Sequence, residues 1–151
     1  MTSPAIIFTI GYAGSAIGPF LDALKAAGVA ELVDVRAVPA SRNRPFSKTA
    51  LAAALNDAGI AYRHLKALGT PKEGRDAAKR GDTATMRRIY DTQLARPEAQ
   101  DALAALRALA IEERVALMCM ESDPANCHRS IVAARLGTEF VVEHLQPIHR
   151  V

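Results

Sequence analysis

The sequence contains no run of eighteen apolar residues, and its amino terminus has no basic segment ahead of an apolar stretch. The first absence excludes a membrane-spanning helix, and the second argues against a secretion signal. Only two cysteines occur in 151 residues, which excludes the disulfide-rich secreted class of small proteins. We therefore expect a single cytoplasmic domain over residues 1–151, with a core of ordinary size and no membrane contact.

Acidic residues are absent between Val35 and Asn56, where basic residues accumulate. Residues 36–88 hold twelve Lys or Arg and four Asp or Glu, whereas the rest of the chain holds seven basic and twelve acidic residues. Such a local excess of positive charge attracts phosphorylated small molecules or nucleic acid. The alternative is a basic loop that is simply solvated.

Short apolar runs predict five strands that alternate with helical patterns. The strands fall near residues 6–10, 31–35, 61–64, 115–119 and 140–144. Helical spacing occurs at 17–24, 51–55, 86–94, 99–109 and 130–136, with stop signals at Gly28, Gly59 and Arg96-Pro97. This alternation predicts an α/β fold with a single doubly wound, mostly parallel five-stranded sheet and helices on both faces.

Polar residues stand at the carboxyl end of each predicted strand, and parallel strands bring those ends to one edge of the sheet. The residues are Gly11, Tyr12, Asp34, Arg36, Arg63, His64, Cys119, Glu121 and His144. Gly11 and Gly14 permit close backbone approach of a ligand, but the third glycine of the dinucleotide fingerprint is missing. The cofactor is therefore left unassigned. Asp34 and Arg36 share one side of a strand, where they either contact the ligand or form a salt bridge that fixes the next loop.

Arg42 and Arg44 lie inside the acid-free segment, between Pro39 and Pro45. Guanidinium groups suit bidentate recognition of phosphate, and the two prolines stiffen the loop that carries them. A stiff loop loses less entropy on binding, which favours a ligand contact over a role in solubility alone.

The segment from Cys119 to Ser130 crowds chemically active side chains between a strand and a helix. Glu121 and His128 are candidate general acids or bases, and Cys127 is a candidate nucleophile because a helix amino terminus lowers the pKa of a thiol. Arg129 and Ser130 would hold an anionic group beside them. Only one residue separates Cys127 from Arg129, which rules against the phosphate loop of cysteine phosphatases.

Other interpretations of the same segment stay open. The two cysteines could form a redox-active pair, or Cys119 could be a buried strand residue ahead of a helix cap. Zinc would find donors in Cys119, Cys127, His128 and His144, but the spacing lacks a second close pair of ligands, so no metal is assigned. The predicted ligand-binding residues are Gly11, Tyr12, Asp34, Arg36, Arg42, Arg44, Arg129 and Ser130.

Four ordered motifs together resemble the family called "domain of unknown function 488". They are Thr9-Ile-Gly11-Tyr12, then Asp34-Val-Arg36 with Pro39, Ser41-Arg42 and Pro45-Phe46, then Gly59-Ile-Ala-Tyr62 with Leu68-Gly69, and last Cys119-x-Glu121 with Cys127-His128-Arg129-Ser130. The resemblance implies a compact α/β domain and no established reaction. Tyr12 departs from the pattern, because many members have histidine at that position, and Thr70 stands where a second glycine is common.

Two classes of function follow from these residues. The first is an enzyme, a hydrolase or a transferase, that acts on a nucleotide, nucleic acid or other phosphorylated substrate. The second is a binding module for nucleic acid or another anion, without chemistry. A thiol, an imidazole and a carboxylate together exceed what phosphate binding requires, which favours the enzyme. The oligomeric state is not predicted.

Overall fold

The computed structural model describes residues 5–119 and 128–148. Its strands are β1 (Ala5–Gly11), β2 (Glu31–Asp34), β3 (Ala61–His64), β4 (Val115–Cys119) and β5 (Phe140–Leu145). The helices are α1 (Ile17–Ala26), α2 (Lys48–Asp57), α3 (Lys72–Lys79), α4 (Thr83–Leu94), α5 (Pro97–Glu112) and α6 (His128–Arg135). Short 3-10 turns occur at Arg44–Phe46 and Lys66–Leu68. The five predicted strands are confirmed.

The strands form one sheet in the order β3-β2-β4-β1-β5, and every pairing between them is parallel. The carboxyl ends of all five strands therefore lie at the same edge, as the sequence predicts. β4 lies between β2 and β1, where its register places Cys119 opposite Gly11. All five residues of β4 are buried, as a central strand covered on both faces requires.

Alternate residues of the strands supply two separate apolar cores, one on each face of the sheet. Phe8, Leu32 and Met118 point toward α1 and α2. Ile7 and Leu117 point to the other face, where residues of α3, α4, α5 and α6 cover them. The prediction of helices on both faces of a doubly wound sheet is confirmed.

The connection between β3 and β4 contains three helices, one more than the apolar pattern predicts. The missed helix is α3, in which only Gly74 and Ala77 are buried. Such a short helix without large apolar residues has no stripe of the kind that reveals a helix in sequence. The predicted break at Arg96-Pro97 is correct, because α4 ends at Leu94 and α5 begins at Pro97.

The ends of β1 and β4 form the topological switch point of the sheet. The chain leaves β1 toward α1 on one face, whereas α6 on the opposite face follows β4. Ligands of open parallel sheets bind where neighbouring strands connect in opposite directions in this way. Within the described residues, no helix is long and apolar enough to cross a membrane.

Candidate functional site

We call the ends of the five strands, together with the loops that follow them, the carboxyl-end rim. The rim is built around a buried ion pair. The Asp34 carboxylate accepts from Arg36 Nε at 2.9 Å, from Arg36 Nη2 at 2.7 Å and from the Arg36 backbone N–H at 3.0 Å. Asp34 is fully buried, and Arg36 is only 6% exposed. The salt bridge anticipated from the sequence is present, and it turns the guanidinium toward the interior.

Two further side chains complete the hydrogen bonding of this pair. The hydroxyl of Tyr62 donates to Asp34 Oδ2 at 2.6 Å, and His64 Nε2 donates to the Arg36 carbonyl at 2.7 Å. Burial and the hydrogen bond to Asp34 raise the pKa of Tyr62, so the phenol stays protonated. Burial alone would lower the pKa of Arg36, but its hydrogen bonds to Asp34 and the charge of that carboxylate outweigh burial and raise it. His64 is thus a hydrogen-bonded structural residue in the described geometry.

Residues 37–47, named here the Arg loop, follow β2 and are anchored at Phe46. The Phe46 ring is fully buried and stacks on Tyr12 at 4.6 Å between ring centroids. Its carbonyl accepts from Arg36 Nη1 at 2.7 Å, and the Tyr12 hydroxyl accepts from the same nitrogen at 3.2 Å. A second anchor is Asn43, whose amide donates to the Ser15 carbonyl at 2.9 Å and joins the Arg loop to the loop after β1.

The anchored loop presents Arg42 and Arg44 to solvent, on either side of Asn43. Gly11 is buried at the end of β1, whereas Gly14 is exposed and has a φ of 74°, a conformation that favours glycine. The structure thus brings the predicted residues of β1 and β2 together. Tyr12, Asp34 and Arg36 form the buried support, and the two arginines are accessible. Their ligand-binding roles stay predictions.

The end of β4 carries a sulfur next to a buried cation. Cys119 is 2% exposed and disulfide-bonded, and Arg129 on α6 is fully buried. Arg129 Nη1 donates to Cys119 Sγ at 3.4 Å. Arg129 therefore lies beside a sulfur at the end of β4, and its predicted role in ligand binding stays a prediction.

His128 opens α6 and connects that helix to β2. Its Nε2 donates to the Val35 carbonyl at 2.6 Å, and its ring meets the Tyr90 ring edge-to-face at 5.4 Å between centroids. Burial is the main reason that the pKa of His128 falls to about 4, and the charge of Arg129 lowers it further. The imidazole is therefore neutral near pH 7, and its role as a general acid or base stays a prediction.

His144 occupies the rim at the end of β5, and its side chain is exposed. Its Nδ1 shares a hydrogen bond of 2.5 Å with the hydroxyl of Thr9, its register partner on β1. Partial burial and the charge of Arg129 lower the pKa of His144, so this ring is also neutral at pH 7. An exposed neutral imidazole held at one nitrogen can exchange a proton with a ligand.

Two predicted catalytic residues, Glu121 and Cys127, lie outside the described residues, and their roles stay predictions. Ser130 lies in the first turn of α6 and is partly buried. Residues 5–119 and 128–148 contain no group of three His, Cys, Asp or Glu side chains that could hold a metal ion.

Sequence reasoning overlooked the anchors of the site. Tyr62 and Phe46 entered only through the family motifs, and Asn43 was not singled out. The hydrogen-bond partners of Tyr62 and Asn43 are each 28 residues away along the chain. Local spacing gives no signal for such contacts, which arise from the order of the strands.

One of the comparisons with known proteins agrees with the sequence motifs. Neither the curated proteins nor the solved structures contain a significant match to this chain. The family model described as "Domain of unknown function DUF488" matches residues 16–136, a range that includes the Arg loop, the buried Asp34–Arg36 pair and α6. Because the match covers most of the 151 residues, the chain belongs to the DUF488 family.

Proposed function

We propose that the chain binds a phosphate-bearing ligand, a nucleotide or a nucleic acid, at the carboxyl-end rim, with Arg42 and Arg44 as its contacts. One observation carries the proposal: two exposed arginines stand on a loop that is fixed from beneath by Phe46 and from the side by Asn43. Guanidinium groups recognise phosphate by paired, charge-assisted hydrogen bonds. A fixed loop loses little conformational entropy on binding, so more of that interaction contributes to affinity.

The surroundings of the Arg loop support an anionic ligand. The loop belongs to residues 36–88, a span that contains twelve basic and four acidic residues. A groove of about 440 Å³ opens where Ala37 at the base of the loop meets Lys66, Gly69 and Arg96. Lys66 and Arg96 are exposed there beside one acid, Glu98, so the charged lining of the groove is positive on balance. A ligand longer than one phosphate group would lie along this groove.

A second candidate function is catalysis on the same ligand, as a hydrolase or transferase. It is favoured by His144, an exposed imidazole held by Thr9 at the rim. Glu121 and Cys127 remain its candidate acid or base and its candidate nucleophile. The separating test is Glu121→Gln, which removes charge and proton transfer while keeping shape. This variant should retain ligand affinity and lose any turnover that a screen of nucleotides and oligonucleotides detects.

Binding is tested with a fluorescein-labelled single-stranded DNA, a labelled duplex and ATP. The double variant Arg42→Ala/Arg44→Ala should bind at least about tenfold more weakly, because two charge-assisted contacts are lost. For the nucleic acid, it should also reduce the slope of log affinity against log salt by roughly 1 to 2. Preference among the three probes distinguishes a nucleotide from a nucleic acid.

The matched control is Lys79→Ala/Arg80→Ala, which removes two exposed positive charges from the same basic span but outside the Arg loop. It should leave affinity within about twofold of the original protein. Equal losses in the two double variants would mean that net charge alone attracts the probes. Binding that does not change with salt for any probe would contradict the proposal.

A further inference from the structure

A second pocket continues the groove that begins at the base of the Arg loop. It has a volume of about 270 Å³ and opens between the start of α3 and the middle of α4, where Glu73 and Arg88 line it. Pro71, Gln93 and Arg96 line both the groove and this pocket, so the two are contiguous. The combined depression, named here the extended groove, therefore leads from the base of the Arg loop to α4.

Basic side chains that are available to a ligand occur along the whole extended groove. Lys66 lines the part next to the Arg loop, Arg88 lines the second pocket, and Arg96 lines both. All three are exposed, and none of them makes a salt bridge or a side-chain hydrogen bond with another of the described residues. Arg87, the neighbour of Arg88, is instead paired with Asp91 at 3.2 Å. The three cations of the extended groove therefore keep their side-chain donors for an anion.

The α4 helix places polar side chains in succession along the extended groove. Arg88 and Thr92 are four residues apart, so they lie on the same face of α4, separated by roughly 6 Å along the helix axis. Arg96 follows just after the helix, which ends at Leu94. A groove with cations in succession tracks the backbone of a phosphate chain, whereas a single phosphate needs only one of them.

Two acids, Glu73 and Glu98, also line the extended groove. Each stands in the first turn of a helix, α3 or α5, where the positive end of the helix dipole offsets part of its charge. Their carboxylates would still repel closely spaced phosphates, so the lining suits one charge per repeat unit better than a dense polyanion. Pro71 and Ile89 add apolar contact area for a sugar between phosphates.

We propose that the phosphate-bearing ligand is a polynucleotide strand, whose backbone continues from the Arg loop through the extended groove, with Arg96 and Arg88 as contacts for its further phosphates. This inference rests on the proposed function, because it extends the same ligand beyond Arg42 and Arg44. The described lining residues include no aromatic side chain on which bases could stack. Contacts to phosphates position a strand without reading its sequence, so binding should depend little on the bases.

The first experiment compares a fluorescein-labelled oligothymidylate of sixteen nucleotides with ATP, using the variant Arg88→Ala/Arg96→Ala. The variant should fold normally, since both side chains are exposed. We expect it to bind the oligonucleotide at least about fivefold more weakly and to reduce the slope of log affinity against log salt by about 1.4, the effect of two lost phosphate contacts on a single strand. Its affinity for ATP should stay within about twofold, because one nucleotide is held by the Arg loop alone.

Lys79→Ala/Arg80→Ala, which removes two exposed cations outside the extended groove, is again the matched control. An equal loss of oligonucleotide affinity in this control would overturn the inference. If Arg42→Ala/Arg44→Ala weakens both probes while Arg88→Ala/Arg96→Ala changes neither, the extended groove is not part of the site and the proposed function still holds. If neither variant changes the binding of either probe, the inference and the proposed function both fail.

The second experiment separates a polynucleotide from other phosphate chains. Unlabelled polyphosphate with the same number of phosphates should displace the labelled oligothymidylate less effectively than unlabelled oligothymidylate does, because Glu73 and Glu98 disfavour dense charge. Glu73→Gln/Glu98→Gln should bind the oligonucleotide more tightly and reduce the difference between the two competitors. Polyphosphate that competes as well as the oligonucleotide in the unmodified protein would overturn the assignment of a polynucleotide strand.

Discussion

Four hydrogen bonds converge on the carboxylate of Asp34, three from Arg36 and one from Tyr62. Removing the charge of Asp34 would leave the buried Arg36 guanidinium without its counterion. Asp34→Asn should therefore lower the free energy of unfolding by about 3–5 kcal/mol, the usual cost of breaking a buried ion pair. Urea unfolding followed by circular dichroism measures this, because the chain has no tryptophan for fluorescence.

The matched variant is Tyr62→Phe, which removes one neutral donor from the same carboxylate and should cost about 1–2 kcal/mol. A loss for Asp34→Asn no larger than that for Tyr62→Phe would mean that the ion pair contributes little beyond its individual hydrogen bonds.

His128 should make stability depend on pH in mildly acidic solution. In the folded protein its pKa is about 4, whereas an unfolded chain protonates histidine near 6.5. Unfolding therefore takes up a proton between these values, and the free energy of unfolding should fall as the pH drops from 6.5 to 4, by up to about 1.4 kcal/mol per pH unit. His128→Gln keeps a donor for the Val35 carbonyl but does not titrate, so its stability should fall less steeply. Parallel curves for the two proteins at pH 7, 6 and 5 would contradict this prediction.

From the residue types and their order, we predicted which polar residues lie at the rim, but not how their side chains are oriented. The sequence placed Asp34 and Arg36 on one side of a strand, and the structure shows the salt bridge between them, whereas a ligand contact stays a prediction. The contact between His128 and Val35 spans 93 positions, so no local pattern could reveal it, and the catalytic role of His128 stays a prediction. Arg42 and Arg44 are exposed, as expected for basic residues in a segment without acidic partners, and their ligand-binding role stays a prediction.

Among the elements, the turn after β3 packs unusually close to the start of the Arg loop. A Cβ atom at Gly69 would overlap with the backbone N and Cα of Ala37. Gly69→Ala should therefore push the turn and the Arg loop apart, destabilise the fold and weaken binding of the phosphate-bearing probes. We expect a loss of about 1–3 kcal/mol in the free energy of unfolding, as for an overpacked core.

Gly18→Ala is the control for that substitution. Gly18 lies in α1, and a Cβ there meets nothing within 4 Å, so stability should stay the same or rise slightly. Identical effects of the two substitutions would show that close packing at Gly69 is unimportant.

Elements with strong apolar periodicity were predicted well, because burial imposes that periodicity. β3 and β4 have the predicted bounds, and the glycines that end α1 and α2, Gly28 and Gly59, adopt positive φ angles as helix stop signals do. α3 escaped prediction because it is anchored by small residues. Gly74 packs against Thr70 and Ile89, a contact that needs the absence of a side chain and leaves no apolar signal.

For the whole molecule, the two cores predict a fold that survives reduction of the disulfide. Each face of the sheet keeps its own apolar core when the disulfide of Cys119 is reduced, so reduction should cost about 2–5 kcal/mol, the usual contribution of one disulfide. The protein in dithiothreitol should still unfold cooperatively, at a lower urea concentration, with unchanged secondary structure before the transition. Cys119→Ala, which removes the same bridge, should behave like the reduced protein. Complete loss of structure on reduction would mean that the bridge is essential to the fold.

The position of β4 between β2 and β1 has a kinetic consequence. The first three strands are complete by His64, yet β1 cannot join β2 until a strand that begins at Val115 has entered between them. The sheet must therefore close through contacts of long sequence separation, which slows folding relative to a chain of local contacts. During synthesis on the ribosome, β1 and the β2–β3 pair therefore stay apart until β4 has been synthesised. The strand that delivers Cys119 to the rim is also the strand that joins them.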